Sequence, residues 1–307
     1  MKTKLCWLLF AISFCACHRI QKPAEQSSHA TVSNPFADDC EVIRAEGKQK
    51  AVLVLFGGYP ETPDDIKREF GIVELAKTNG ISLILMTFNR RLWLEESEKM
   101  RLSNLLQKVL RTNELSTDRL YIGGFSSGGN VSLLLANFLQ EKGLDIGLKG
   151  VFAIDSPVDL LALYKCSQKN VARNFSAVSV RESQRTVADF DAHFGKPENG
   201  LDKYAQYSPY VSSLDKIENL DALAGVNIRL YTEPDTLWWK TNRANEYEDM
   251  NACSLKKLSE QLANKYGPSH VTLIETSDKG RRSNGMRHPH SWSIVDKEEL
   301  IKWMLGS

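Results

Sequence analysis

Six short runs rich in valine, isoleucine and leucine recur along this chain, each separated from the next by a longer segment of different period. They are AVLVLFGG (51–58), ISLILMTF (81–88), RLYIGGF (119–125), KGVFAID (149–155), VNIRLYT (226–232) and HVTLIET (270–276). A strand that is apolar at consecutive positions, not at alternate ones, has to be covered on both faces, and that is the environment of a parallel sheet. Segments 63–80, 95–115, 129–143, 253–267 and 296–305 carry their apolar residues at helical spacing, and several stop at glycine. Strand and helix alternating on this scale predict a doubly wound, mostly parallel α/β sheet.

The rhythm stops between Asp155 and about Asn219. No strand is visible there, and Phe175, Phe190, Phe194, Tyr204, Tyr207 and Tyr210 are scattered through polar sequence. So long a connection inside a folded domain predicts an insertion with helices of its own. Following a strand end, it is expected to form a helical cap, about residues 156–218, over the carboxyl edge of the sheet.

The first residues predict export. Lys2 and Lys4 precede an apolar stretch, Leu5 to Phe14, that is too short to span a bilayer as a helix, and Ala16 stands directly before Cys17. The segment resembles a bacterial lipoprotein signal, in which residues 1–16 are removed and Cys17 carries the lipid. An ordinary secretory signal cleaved nearby is the alternative, and either one exports the chain. Residues 17–45 are polar, with serine, proline and glutamine and no sustained periodicity, and are expected to act as a tether to a domain spanning 46–307. The expected location is the bacterial cell envelope, with the membrane met through the anchor at Cys17.

Composition narrows the chemistry. With 42% hydrophobic and 25% charged residues in 307, the chain can build one large core, and a net charge of +1 gives no broad basic field, so nucleic acid is not an expected partner. The cysteines never fall as C-x-x-C, and neither a metal nor a cofactor is expected. Beyond Cys17, the mature chain holds Cys40, Cys166 and Cys253, an odd number of which one pair could bridge in an oxidising compartment.

The motif that carries chemistry is GGFSSGG, residues 123–129, where the third strand turns into a helix. A Walker loop would need lysine after the closing glycine, and Gly129 and Asn130 stand there instead; the dinucleotide pattern lacks its middle glycine, because Phe125 occupies that place. Read as G-x-S-x-G, Gly124 to Gly128 match a nucleophile elbow, which needs a strained serine with an exposed hydroxyl and glycines where strand and helix approach. Ser126 is the candidate nucleophile, and Ser127 offers a backbone N–H. An acid and a histidine are then expected later in the chain, at the same sheet edge. Asp235 and Glu233 follow the strand at 226–232, and His288 and His290 follow the strand at 270–276. Apart from these acid candidates, Asp155 and Asp159 in AIDSPVDL stand at another strand end, where a helix or turn cap is the plain reading.

These residues resemble the α/β-hydrolase family, in particular its capped esterases, over roughly Gln49 to the C-terminus. LFGGYP (55–60) is similar to the family's His-Gly-Gly segment with Phe56 at the histidine position, TEPD (232–235) to its Gly-x-x-Asp turn, and HSW (290–292) to its histidine segment. The resemblance implies a triad of Ser126, Asp235 and His290, with the N–H groups of Ser127 and Gly58 as the oxyanion hole. Glu233 and His288 stay open as substitutes. The implied activity is a serine esterase acting on a small-molecule or carbohydrate ester. A peptidase of the same fold, or an inactive binding protein on this scaffold, are the alternatives.

Overall fold

The computed structural model describes residues 39–144 and 146–306. The expected signal segment, the lipidation site Cys17 and nearly all of the tether lie outside the described residues. Among the described residues seven strands form one sheet: β1 (Cys40–Ile43), β2 (Ala51–Phe56), β3 (Ile81–Met86), β4 (Leu120–Phe125), β5 (Leu148–Ile154), β6 (Asn227–Thr232) and β7 (Val271–Glu275). The order across the sheet is β1-β3-β2-β4-β5-β6-β7, with every pair parallel except β1 and β3.

All six apolar runs are therefore strands. Strand β1 is an addition: CEVI lies inside the stretch expected to be tether and pairs antiparallel with β3, Cys40 opposite Met86. It is a short edge strand whose outer residues are only half-buried, so it lacks the continuous apolar run that marks the others.

Among the described residues ten helices accompany the strands: α1 (Pro63–Phe70), α2 (Val73–Thr78), α3 (Glu96–Thr112), α4 (Ser127–Glu141), α5 (Leu160–Arg173), α6 (Ala177–His193), α7 (Asp202–Tyr207), α8 (Thr236–Arg243), α9 (Asn251–Tyr266) and α10 (Lys297–Leu305). Alternate residues of each inner strand feed opposite faces of the sheet. Val52, Val54 and Phe56 of β2 join the core formed with α3, α4 and α9, while Ala51, Leu53 and Leu55 join the one formed with α1, α2 and α10. This two-sided burial is why the strands read as unbroken apolar runs.

The expected insertion is present as α5, α6 and α7. It has its own core, in which Phe190 and Phe194 pack edge to face on Trp93 of the main domain, and Tyr204 packs edge to face on Tyr164 and Phe194. The scattered aromatics of the sequence mostly serve this packing, although Phe175 is exposed. No disulfide joins any two of Cys40, Cys166 and Cys253, so the bridge that one pair could have formed is not made in this structure. Burial pushes the Cys166 thiol up to about 11, which leaves it protonated and inert at neutral pH.

Candidate active site

The elbow forms as its letters require. Ser126 follows the last residue of β4 and precedes α4, with φ 53° and ψ −124°, a backbone conformation that a residue with a side chain adopts only under strain. The flanking glycines permit it: a Cβ on Gly124 would collide with the Gly128 carbonyl, and one on Gly128 would collide with the carbonyls of Phe56 and Gly57. The Ser126 N–H donates to the Ile154 carbonyl at 2.9 Å, extending the β4–β5 ladder one residue beyond the strand. Ser127 opens α4, where a backbone N–H has no intrahelical acceptor and faces the positive end of the helix dipole.

His290 is the histidine brought to this edge. Its Nδ1 lies 2.6 Å from Oδ2 of Asp155, and its ring packs 4.5 Å from that of Phe125, the residue before Ser126. Asp155 directly follows β5, which pairs with β4 so that Phe125 stands opposite Ile154. The carboxylate is buried, and its other oxygen accepts from the Thr232 hydroxyl at 2.7 Å. Thr232 lies on the adjacent strand β6, and the Asn251 amide donates to the Asp155 carbonyl at 2.7 Å. The backbone of Asp155, like that of Ser126, has a positive φ, here 42°.

The acid expected from sequence is thus displaced. Asp235 does not meet His290: one oxygen caps α8 through the Trp238 N–H at 2.9 Å, and the other pairs with Arg287 at 2.7 Å. Glu233 is also committed elsewhere, to Arg287 at 2.6 Å, to the Thr276 hydroxyl and to the N–H groups of Lys279 and Gly280. Both carboxylates brace the loop that carries the histidine, and neither orients its ring. Asp159 takes the plainer role, capping α5 through Ala162 N–H at 2.9 Å. Asp155 carried a signal in the sequence: it ends a buried strand, and it precedes the histidine and follows the serine in the chain.

His288 is not the alternative base. It packs between Trp238 and Trp239, with ring centroids 4.6 and 6.1 Å away, and its Nδ1 is buried with no hydrogen-bond partner among the described residues. Burial, with His290, Arg282 and Arg243 close by, pushes its pKa down to about 3, so it is neutral at neutral pH. The two tryptophans pack on each other and on this ring.

The oxyanion loop also differs from expectation. The Gly58 turn lies against Ser126, since a Cβ there would sit 3.1 Å from the Ser126 Cβ. Yet the Gly58 N–H donates to Oε2 of Glu61 at 2.9 Å, and the Tyr59 N–H donates to the Ser127 hydroxyl at 2.9 Å. Both donors of the turn are satisfied internally, so the second oxyanion donor assigned to Gly58 is occupied in this arrangement. Glu61 had no signal in the sequence. Its carboxylate also accepts from the Trp292 indole at 3.0 Å, and so ties the Gly58 turn to the histidine segment. Burial raises its pKa, against the lowering effect of those two hydrogen bonds and of the nearby Arg282 and His290. Beside Tyr59, a cavity of about 320 Å³ opens between the cap and the main domain, lined among others by Trp93, Arg185, Phe190 and His193.

No protein-family model and no curated protein matches the sequence. Solved structures do match in fold. The fluorophosphonate-binding serine hydrolase FphF of Staphylococcus aureus superposes with a TM-score of 0.53 at 13% identity, covering 87% of this chain and 91% of that one. The Francisella virulence factor BioJ gives 0.56 at 12% identity over 87% and 81%. An S-formylglutathione hydrolase from Agrobacterium tumefaciens gives 0.51 at 12% identity over 84% of each chain. With its largely parallel seven-stranded sheet, its helices on both faces and its serine on a strand-to-helix elbow, the chain has the α/β-hydrolase fold.

Proposed function

We propose that this chain is an exported serine hydrolase that cleaves an ester through an acyl-enzyme on Ser126, with His290 as the base and Asp155 as its orienting acid. The observation that carries the reading is the 2.6 Å contact between His290 Nδ1 and Asp155, made beside a serine on a strained elbow. A carboxylate at Nδ1 fixes the proton there and leaves Nε2 with a lone pair for the serine hydroxyl.

In the first half-reaction Ser126 Oγ attacks the acyl carbon and His290 takes the hydroxyl proton. The carbonyl oxygen becomes an oxyanion, which the Ser127 N–H at the start of α4 receives. The intermediate collapses, the C–O bond to the alcohol breaks, and His290 returns the proton to the departing oxygen. In the second half, water loses its proton to His290 and attacks the acyl carbon, releasing the acid and restoring the serine. The solved neighbours described as esterases and serine hydrolases support ester chemistry over a peptidase reading.

A fluorophosphonate probe tests the proposal. Covalent labelling of the wild type that disappears in Ser126→Ala is the expected result, and labelling that persists in that variant sinks the assignment.

A further inference from the structure

Three arginines stand in the loop that carries His290, and the structure separates them. Arg287 is neutralised by Glu233 and Asp235 and also donates to the Gly280 carbonyl. Arg281 is exposed and reaches the Gly285 carbonyl at 3.5 Å. Arg282 is half-buried, and its guanidinium has no carboxylate within 4.0 Å and no hydrogen-bond acceptor among the described residues. Its carbon Cζ lies 5.9 Å from the centre of the Phe125 ring, the same ring that packs against His290 at 4.5 Å and stands next to Ser126 in the chain.

The position is built. Arg281 and Arg287 form a bridge that makes residues 281–287 a hairpin, and within it the Arg282 N–H donates to the Met286 carbonyl. The hairpin is anchored at both ends. Ser283 binds Glu69 of α1 through its N–H at 2.9 Å and its hydroxyl at 2.6 Å, while Arg287 holds the base. Between these pins the Arg282 side chain is held over the floor of the site. A carboxylate near it, Glu61, spends its hydrogen bonds on Gly58 and Trp292.

We infer that Arg282 receives a carboxylate of the substrate, and that the ester this enzyme prefers carries a single negative charge close to the scissile bond. The inference rests on the proposed hydrolase reading and names the substrate class for that same site. A guanidinium presents a planar fork that matches a carboxylate in two parallel hydrogen bonds. One such group, with Glu61 beside it, suits a monoanion better than a phosphate dianion, which would meet repulsion from Glu61 and find only one cation. The packing of Arg282 on an aromatic ring removes much of its rotamer freedom before substrate arrives, so less is lost on binding.

The test compares kcat/KM for charged and neutral esters of matched size. On the acyl side, p-nitrophenyl hydrogen glutarate is set against p-nitrophenyl valerate. On the alcohol side, the butyrate ester of 4-hydroxybenzoate is set against phenyl butyrate. The expected result is a preference for the charged ester in one of the two pairs, and the responding pair tells which half of the substrate bears the charge. In Arg282→Met that preference falls by about tenfold or more, the worth of a hydrogen bond between charged groups. Arg282→Lys keeps part of it, and Arg281→Met, which removes a neighbouring positive charge, keeps the wild-type ratio within about threefold. Because each readout is a ratio within one preparation, a loss of folded protein does not mimic the effect. The inference is overturned if wild type shows no preference in either pair, if Arg282→Met leaves the ratio unchanged, or if Arg281→Met lowers it equally. Probe labelling and turnover of the neutral esters without a charge preference would refute this inference alone. No labelling and no turnover of any ester would remove the hydrolase reading, and the inference with it.

Discussion

Replacing Asp155 by asparagine is the sharpest test of the site. The change keeps the shape of a buried side chain and alters one hydrogen bond to His290 and one to Thr232. If the Thr232 hydroxyl goes on donating, the amide oxygen faces Thr232 and the amide NH2 turns toward His290 Nδ1. That nitrogen must then accept, the proton moves to Nε2, and the ring presents a donor where the serine needs a base. In a serine hydrolase triad this substitution lowers kcat by about 10⁴, or about 5.4 kcal/mol of barrier at 1.36 kcal/mol per decade. Asp235→Asn, by contrast, breaks the pair with Arg287 and weakens the α8 cap, changes that cost about 1 kcal/mol of stability and less than about tenfold in rate. Turnover of p-nitrophenyl butyrate and the melting temperature of both variants decide it. A fall near four decades in Asp235→Asn with Asp155→Asn inside one decade would refute the assignment of the acid and the tautomer argument together.

Other perturbations probe the surroundings. Ser127→Ala removes the hydroxyl that accepts from Tyr59 N–H but keeps its own backbone N–H, so probe labelling should slow by about tenfold and not vanish as in Ser126→Ala. Gly128→Ala drives a methyl into the carbonyls of Phe56 and Gly57, which the sheet cannot move, and should cost about 3 kcal/mol in urea unfolding. Glu61 has a pKa raised by burial, so its contribution to stability is full below the pKa of a free glutamate and is lost as pH rises through the higher folded value. Glu61→Gln can keep the bonds from Gly58 and Trp292 on its carbonyl oxygen, so its melting temperature should exceed that of wild type at pH 8, with a difference that shrinks toward zero below about pH 4. An absent or inverted trend would count against a buried charge at Glu61. Cys17→Ser should shift the protein from the membrane fraction to the soluble fraction with its esterase activity intact, and an unchanged distribution would refute the proposed anchor.

What the sequence disclosed and what it hid follow from the range of the interactions concerned. A run such as AVLVLF is buried on both faces whatever lies beside it, and the elbow is a matter of local backbone sterics between Gly124 and Gly128. Both were legible. The carboxylate that meets His290 was not, because two strand ends offer carboxylates in the right chain order, after β5 and after β6. Which one reaches the histidine depends on the course of a loop some 50 residues further on. That loop carries Arg287, which draws Asp235 and Glu233 to itself and leaves Asp155 to face His290. The oxyanion turn was misread for a related reason. LFGGYP resembles its counterpart in letters, but Glu61, three residues beyond Gly58, takes the N–H that the resemblance had assigned to the transition state.

The placement of the proposed nucleophile and acid is a property of the sheet more than of the loops. Phe125 and Ile154 are register partners, so Ser126 and Asp155 leave adjacent strands at the same level. Each then continues the hydrogen-bond ladder by one step, Ser126 N–H to the Ile154 carbonyl at 2.9 Å and Asp155 N–H to the Tyr231 carbonyl at 2.7 Å. Both residues have positive φ, a conformation that costs about 1–3 kcal/mol where a side chain is present, and a ladder bond to a buried central strand is what can hold it. Ser126 and Asp155 are therefore both placed by backbone pairing between central strands of the sheet. Only the histidine comes from a loop, and that loop is pinned around it: Trp292 to Glu61, Ser293 to the carbonyls of Lys279 and Arg281, and Arg287 to two carboxylates. Loosening a pin should accordingly lower turnover by misplacing His290 without altering the serine's strained backbone, while a change at Met286, exposed at the hairpin tip, should leave turnover as it is.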